Sequence, residues 1–270
     1  MGSMDCAGGP SGIGRGCRGI GQTETAAASI PSSRHMIGRL LFPALACALL
    51  GGQTPDREAA VGAQLAAEIR RQTTVLDVPG VHEYVQCVAR RIETHLPDAE
   101  RGWELSLIQD DSGGSTREPL AIPRRRLFVS AHLLLAVRNE AELAGMLAQA
   151  MARGTETRAG SAPVWIGVLG SDDRELAPIG NLKRIRESRL RADSRATAIM
   201  AAAGYDPAAL VDYIGRTQRA LPPMAARYSA LPPRAQRISG LEAAIANESF
   251  RAGEPCGDLR AIQGQVSGEP

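Results

Sequence analysis

Between Leu143 and Met151, apolar side chains return every third or fourth position, at Leu143, Met146, Leu147, Ala150 and Met151. That spacing puts them on one stripe of a helix. Asn139 can cap its start, Glu142 stands at the capping-box position, and Gly154 is expected to end it. Val81, Val85, Val88 and Ile92 repeat the pattern and predict a helix over 81–96. Further helices are expected over 56–72 and 184–203, the latter stopped by Gly204. Asp206 caps another, with Pro207 at its first position and Tyr213 and Ile214 on its apolar side. A last helix is expected over 233–246. The period changes to two in "WELSLIQ", Trp103–Gln109, which reads as a half-buried strand. "LAIP" and "RRLFVSA" are short strand candidates on either side of Pro123, and a helical turn begins at Leu133. "DDSGGST" reads as a loop. Residues 154–180 have no clear period, and "PVWIGVLG" fits either a strand or a buried loop. From Phe250 onward, Gly, Pro and polar residues predict a flexible tail over 249–270. The whole is an α+β pattern, mostly helical with a small mixed sheet.

Composition narrows the classes. The 270 residues carry a formal charge of +2, so no bulk attraction to nucleic acid is implied. Aromatics at 3% argue against a base-stacking platform. Residues 1–35 have no hydrophobic period and read as a disordered leader or as a start codon called too early. Their Gly14-Arg15-Gly16-Cys17-Arg18-Gly19 spells G-x-G-x-x-G without the strand and helix that the dinucleotide motif needs. Residues 36–52 contain an apolar run from Leu40 to Leu50, short for a bilayer span and suited to a signal peptide. Cleavage at Ala44-Leu45-Ala46, lipid attachment at Cys47, or retention as an N-terminal membrane anchor are the alternatives. Export would leave two of the five cysteines, Cys87 and Cys256, either paired or as two free thiols.

Four stretches, in order, carry a resemblance. They are "WELSLIQDD", "PLAIPRRRLFVSAHLLLAVRNEAELAGMLAQAMARG", "RADSRATAIMAAAGYDPAALVDYI" and "YSALPPRAQRI". Together they resemble the family-48 zinc metallopeptidases, the group of the CAAX prenyl proteases, membrane heat-shock proteases and periplasmic outer-membrane-maintenance proteases. The second stretch resembles the family's N-A-x-A-L-P-G-G-x-I-x-V strand pair and zinc helix. The third resembles its E-x-x-A-D helix and A-G-Y-D-P turn, and the last its S-T-H-P-P-x-x-x-R-I segment. The resemblance covers roughly Asp56 to Ala246 and implies a zincin-like domain over 53–248, placed in the periplasm or cell envelope.

In that family, two histidines of H-E-x-x-H hold zinc, the glutamate between them activates water, and a glutamate from a later helix completes the site. The resemblance puts Gln149 and Arg153 at the histidine positions, Ala150 at the base and Arg189 at the third ligand. Leu231 falls on the histidine of the S-T-H-P-P segment, and Asp193 alone keeps the family's residue. A guanidinium stays protonated and cannot ligate, and an amide is a poor ligand beside imidazole. Unit charges 4 Å apart interact by roughly 4 kcal/mol at an effective dielectric of about 20, and a dication doubles the repulsion. Zinc is therefore the family's cofactor, with its ligands replaced here, and a catalytically silent pseudoenzyme is expected. Arg153 and Arg189 are expected to pair with Asp193 or Glu187 in place of the metal.

Other chemistry has thin support. His82, His95 and His132 form no H-x-x-x-H, and Ser130, Ser161 and Cys87 lack a nucleophile signature. Where the family has P-G-G at the edge strand, this chain has Pro123 followed by Arg124, Arg125 and Arg126. Ile122, Pro123, Arg124 and Arg125 are thus candidates for a groove that takes an acidic protein or peptide segment, or an internal plug. The expected function is protein or peptide binding in the envelope. A metallopeptidase with a relocated metal site and a purely structural envelope-maintenance role are the alternatives.

Overall fold

In the computed structural model, residues 55–109, 117–156, 182–219, 221, 227 and 229–268 are described. The leader, the apolar run with Cys47, the G-x-G-x-x-G stretch, "DDSGGST" and "PVWIGVLG" with Ser161 lie outside the described residues. The described residues begin with α1 (Pro55–Gln72), β1 (Thr74–Val75) and α2 (Pro79–Glu93), then a short 3-10 turn at Asp98–Glu100. Strands β2 (Glu104–Gln109), β3 (Leu120–Ile122) and β4 (Arg126–Ser130) lead into α3 (Ala131–Ala136) and α4 (Glu140–Glu156). Helices α5 (Leu182–Ala202), α6 (Ala208–Thr217), α7 (Arg234–Ile245) and α8 (Leu259–Ser267) complete it.

The sheet has the order β1-β2-β4-β3, with β2 and β4 parallel and both outer pairs antiparallel, so it is mixed. Alternation along the strands divides the core. Leu107, Ala121, Leu127 and Val129 join the main cluster with α2, α4, α5 and α6. Ile108, Leu120, Ile122 and Phe128 point the other way, onto Ala66 and Ile69 of α1. The strand expected to be half-buried is therefore covered on its second face at Ile108.

Helix α4 is the centre of the main cluster. Its expected stripe of Leu143, Met146, Leu147, Ala150 and Met151 is completely buried, each large side chain contributing about 1.5–3 kcal/mol. Asn139 Oδ1 accepts from the Glu142 N–H at 2.9 Å, as a cap should. The Glu142 carboxylate accepts from the Arg138 N–H instead of that of Asn139, one residue before the expected box partner. Gly154 does not end the helix, which continues to Glu156. Glycine is needed there because the Trp103 ring lies against it, where a Cβ would stand 2.4 Å from Cη2. Asp206 caps α6 as expected: Pro207 already has helical angles at φ −64° and ψ −21°, and the Ala208 N–H donates to Asp206 Oδ1 at 2.9 Å.

The largest departure is at the C-terminus. Residues 249–270, expected to be a flexible tail, carry α8, capped by Asp258, whose Oδ1 accepts from the Arg260 N–H. Leu259 and Ile262 are buried in the main core. Cys256 is disulfide-bonded to Cys87 on α2, which settles the cysteine alternatives in favour of pairing. Its N–H also donates to Glu140 at the start of α4. Sparse apolar content misled the sequence reading, because a covalent tether replaces much of the burial a terminal helix needs. The described residues belong to one compact unit, Leu49–Pro270. Among them, no helix is long and apolar enough to cross a membrane.

Candidate functional site

Helices α4, α5 and α7 each send polar side chains to one buried point. Asp193 of α5 is 2% exposed, Gln149 of α4 is fully buried and Arg237 of α7 is 1% exposed. Arg237 grips Asp193 with both ends of its fork: Nε donates to Oδ2 and Nη2 to Oδ1, both at 2.8 Å. Gln149 Nε2 donates to the same Oδ1 at 2.8 Å. Arg237 Nη1 continues outward to Gln218 Oε1 at 2.9 Å. The buried Gln149 Oε1 accepts no hydrogen bond among the described groups.

A second carboxylate closes the arrangement. Glu118 lies just before β3, and its Oε2 is 3.1 Å from Arg189 Nη1 and 3.5 Å from Arg153 Nη1. Its Oε1 is 3.4 Å from Arg237 Nη1. Arg153 also donates from Nη2 to the Pro119 carbonyl at 3.2 Å, so it ties α4 to the approach of edge strand β3. Burial opposes ionisation of Glu118, but Arg189, Arg237 and Arg153 outweigh it and hold its pKa well below the usual carboxylate range. Burial likewise disfavours charged Arg237, yet the bonds to Asp193 dominate and raise its pKa.

The sequence expectation is corrected in its pairing. Arg153 and Arg189 do converge, but on Glu118; Glu187 is an exposed partner of Lys183 at 3.9 Å. Asp193 is taken by Arg237 and Gln149. Ala150 is fully buried in the core. Leu231 is half-buried on the segment entering α7, where its N–H donates to Ser229 Oγ. Glu118 and Arg237 were missed. Arg237 had a signal, since it stands at the arginine of the S-T-H-P-P-x-x-x-R-I pattern; Glu118 had none.

The groove candidates form the β3–β4 turn. Ile122 is 2% exposed and belongs to the α1 side of the core, so it does not line an open groove. Helix α1 passes so close to Pro123 that a Cβ on Gly62 would stand 2.7 Å from its carbonyl oxygen. Arg124 and Arg125 are exposed at φ 68° and 54°, both left-handed. That is the conformation two glycines adopt freely and arginine adopts at a cost of about 1–2 kcal/mol each. The Arg125 guanidinium donates to the Ala99 carbonyl. Beside the cluster, a surface depression of about 320 Å³ between α5 and α7 reaches Asp193 and Arg237, with Ser194 and Ser239 on its walls.

Zinc does not fit this donor set. A cation would meet three guanidiniums, one amide and two carboxylates that are already paired. Among the described residues, no three His, Cys, Asp or Glu side chains converge as a metal site would require. No protein-family model matches the chain, and no curated protein matches it significantly.

Proposed function

We propose that this chain is a non-catalytic relative of the family-48 zinc metallopeptidases, exported to the cell envelope, that works by binding an acidic protein or peptide segment. The observation that carries the reading is the pairing of Gln149, Arg153 and Arg189 with Asp193 and Glu118. These are the positions at which the resemblance puts two histidines and a glutamate, and Ala150 replaces the general base. The mixed, mostly helical α+β architecture supports the family reading at the level of topology. So does the β3–β4 turn, because left-handed Arg124 and Arg125 stand where the family has Gly-Gly. Export is supported by the Cys87–Cys256 disulfide, a bond that persists in oxidising compartments, together with the apolar run from Leu40 to Leu50.

A second reading, a purely structural envelope role with a closed groove, is favoured by one observation. The ion pair of Arg153 with Glu118 and the Arg153 bond to the Pro119 carbonyl tie α4 to the approach of the edge strand. Casein cleavage by the purified chain, with and without a chelator, tests the non-catalytic core of both readings. No cleavage above a boiled control is expected. Chelator-sensitive cleavage by homogeneous protein would overturn both. Cross-linking in an envelope extract separates them: a single acidic partner favours binding, and none favours the structural role.

A further inference from the structure

We infer that Arg153, Arg189 and Arg237 form a carboxylate-binding pocket in which Glu118 is the resident, intramolecular occupant, so that an external carboxylate competes with it. The inference rests on the non-catalytic binding reading above and names the ligand class of that site.

The pocket and its occupant are held differently. Each arginine belongs to a different helix, α4, α5 and α7, all packed in or against the main core. Arg189 and Arg237 are 3% and 1% exposed, and Arg153 is 15% exposed. Arg237 is held independently of Glu118 by Asp193 and Gln218, while Arg153 also bonds the Pro119 carbonyl on the segment that carries Glu118. Glu118 lies outside any strand or helix and its side chain is 30% exposed. Two buried guanidiniums and a partly buried one thus meet a carboxylate on a side chain that is 30% exposed. All three distances to Glu118, between 3.1 and 3.5 Å, exceed those of a well-formed charge-assisted bond. An untethered carboxylate, free of the backbone at Pro119, can approach the guanidiniums more closely. The same chemistry occurs on an acidic side chain and on a peptide C-terminus, so both are ligands in kind.

The test is chemical rescue in the full chain. Glu118→Ala empties the pocket of its own carboxylate. Thermal unfolding is then followed in sodium acetate and in sodium chloride of equal ionic strength. Acetate is expected to raise the midpoint of Glu118→Ala by about 2–4 °C over chloride, to leave the wild type unmoved, and to lose its effect in Glu118→Ala/Arg153→Met. If Glu118→Ala folds only in acetate, that is the same result in stronger form. Glu118→Asp, which keeps the charge on a shorter arm, should respond with a smaller shift. Calorimetry with two isomeric short peptides distinguishes the sources, one with a free C-terminus and no acidic side chain, the other amidated with one glutamate. At least tenfold tighter binding of one or both to Glu118→Ala than to the wild type is expected. Glu118→Ala and Glu118→Asp that respond to acetate no more than the wild type would overturn the pocket, as would a response that survives Arg153→Met. Such a failure leaves the negative peptidase assay standing, whereas chelator-sensitive cleavage would sink the non-catalytic reading whatever acetate does.

Discussion

Asp193 shows how much one side chain can commit a site. Both of its oxygens are taken, by Arg237 and Gln149, and its side chain is only 3% exposed. A carboxylate stripped of its cation in such a place has no cheap alternative. Arg237→Met is therefore expected to destabilise the chain by about 3–5 kcal/mol, while Arg237→Met combined with Asp193→Leu should cost much less. Urea unfolding of the two variants checks this; equal losses would mean that the pair is not desolvated. Glu118 is more exposed, and its removal should cost less, about 1–2 kcal/mol for Glu118→Gln at neutral pH. Its folded pKa lies below the ordinary value of 4.5. Its stabilisation is thus complete above pH 4.5 and is lost as the pH falls through the folded value. The stability gap between wild type and Glu118→Gln should be constant from neutral pH down to that point and shrink below it. A gap that widens in acid would contradict the assignment. Asp193 and Gln149 were singled out in the sequence because the motifs of the resembled family have fixed spacing, though their bond to each other was not expected. Glu118 was not, because a charge pair spanning 71 residues, such as Glu118 with Arg189, leaves no local period.

The elements were read more easily than their ends. Helical stripes at Val81–Ile92 and Leu143–Met151 survive because burial rewards the period directly. Gly154 was misread as a terminator, since its reason is the Trp103 ring from a distant segment. The β3–β4 turn shows the opposite case, a conformation retained against local preference. Arg124 and Arg125 are both left-handed, and the sheet register of Ile122 with Arg126 keeps them so. Replacing either by glycine should relieve strain worth about 1 kcal/mol. The double variant Arg124→Gly/Arg125→Gly is expected to melt higher by a few degrees in calorimetry. A lower midpoint would mean that the Arg125 bond to Ala99 outweighs the strain.

At the scale of the described residues, a covalent link and an ionic cluster both hold distant parts of the chain. The disulfide joins Cys87 to Cys256 across 169 positions and fastens α8 to α2. Closing so long a loop restricts the unfolded chain strongly, so Cys87→Ser/Cys256→Ser should lose about 2–5 kcal/mol, read from denaturant midpoints. A loss under about 1 kcal/mol would show that Leu259 and Ile262 hold α8 by packing alone. The cysteines themselves were visible in the sequence, but their pairing was not, because nothing local links α2 to the C-terminus. The proposed function turns on the cluster around Asp193: it stands where the resemblance puts a metal, and its carboxylates are paired with its own cations. Equilibrium dialysis of the full chain against zinc, with metal counted by mass spectrometry, bears on this directly. We expect no stoichiometric zinc, and no difference between the wild type and Arg189→Met. One zinc per chain in the wild type, lost on Asp193→Asn, would contradict the account.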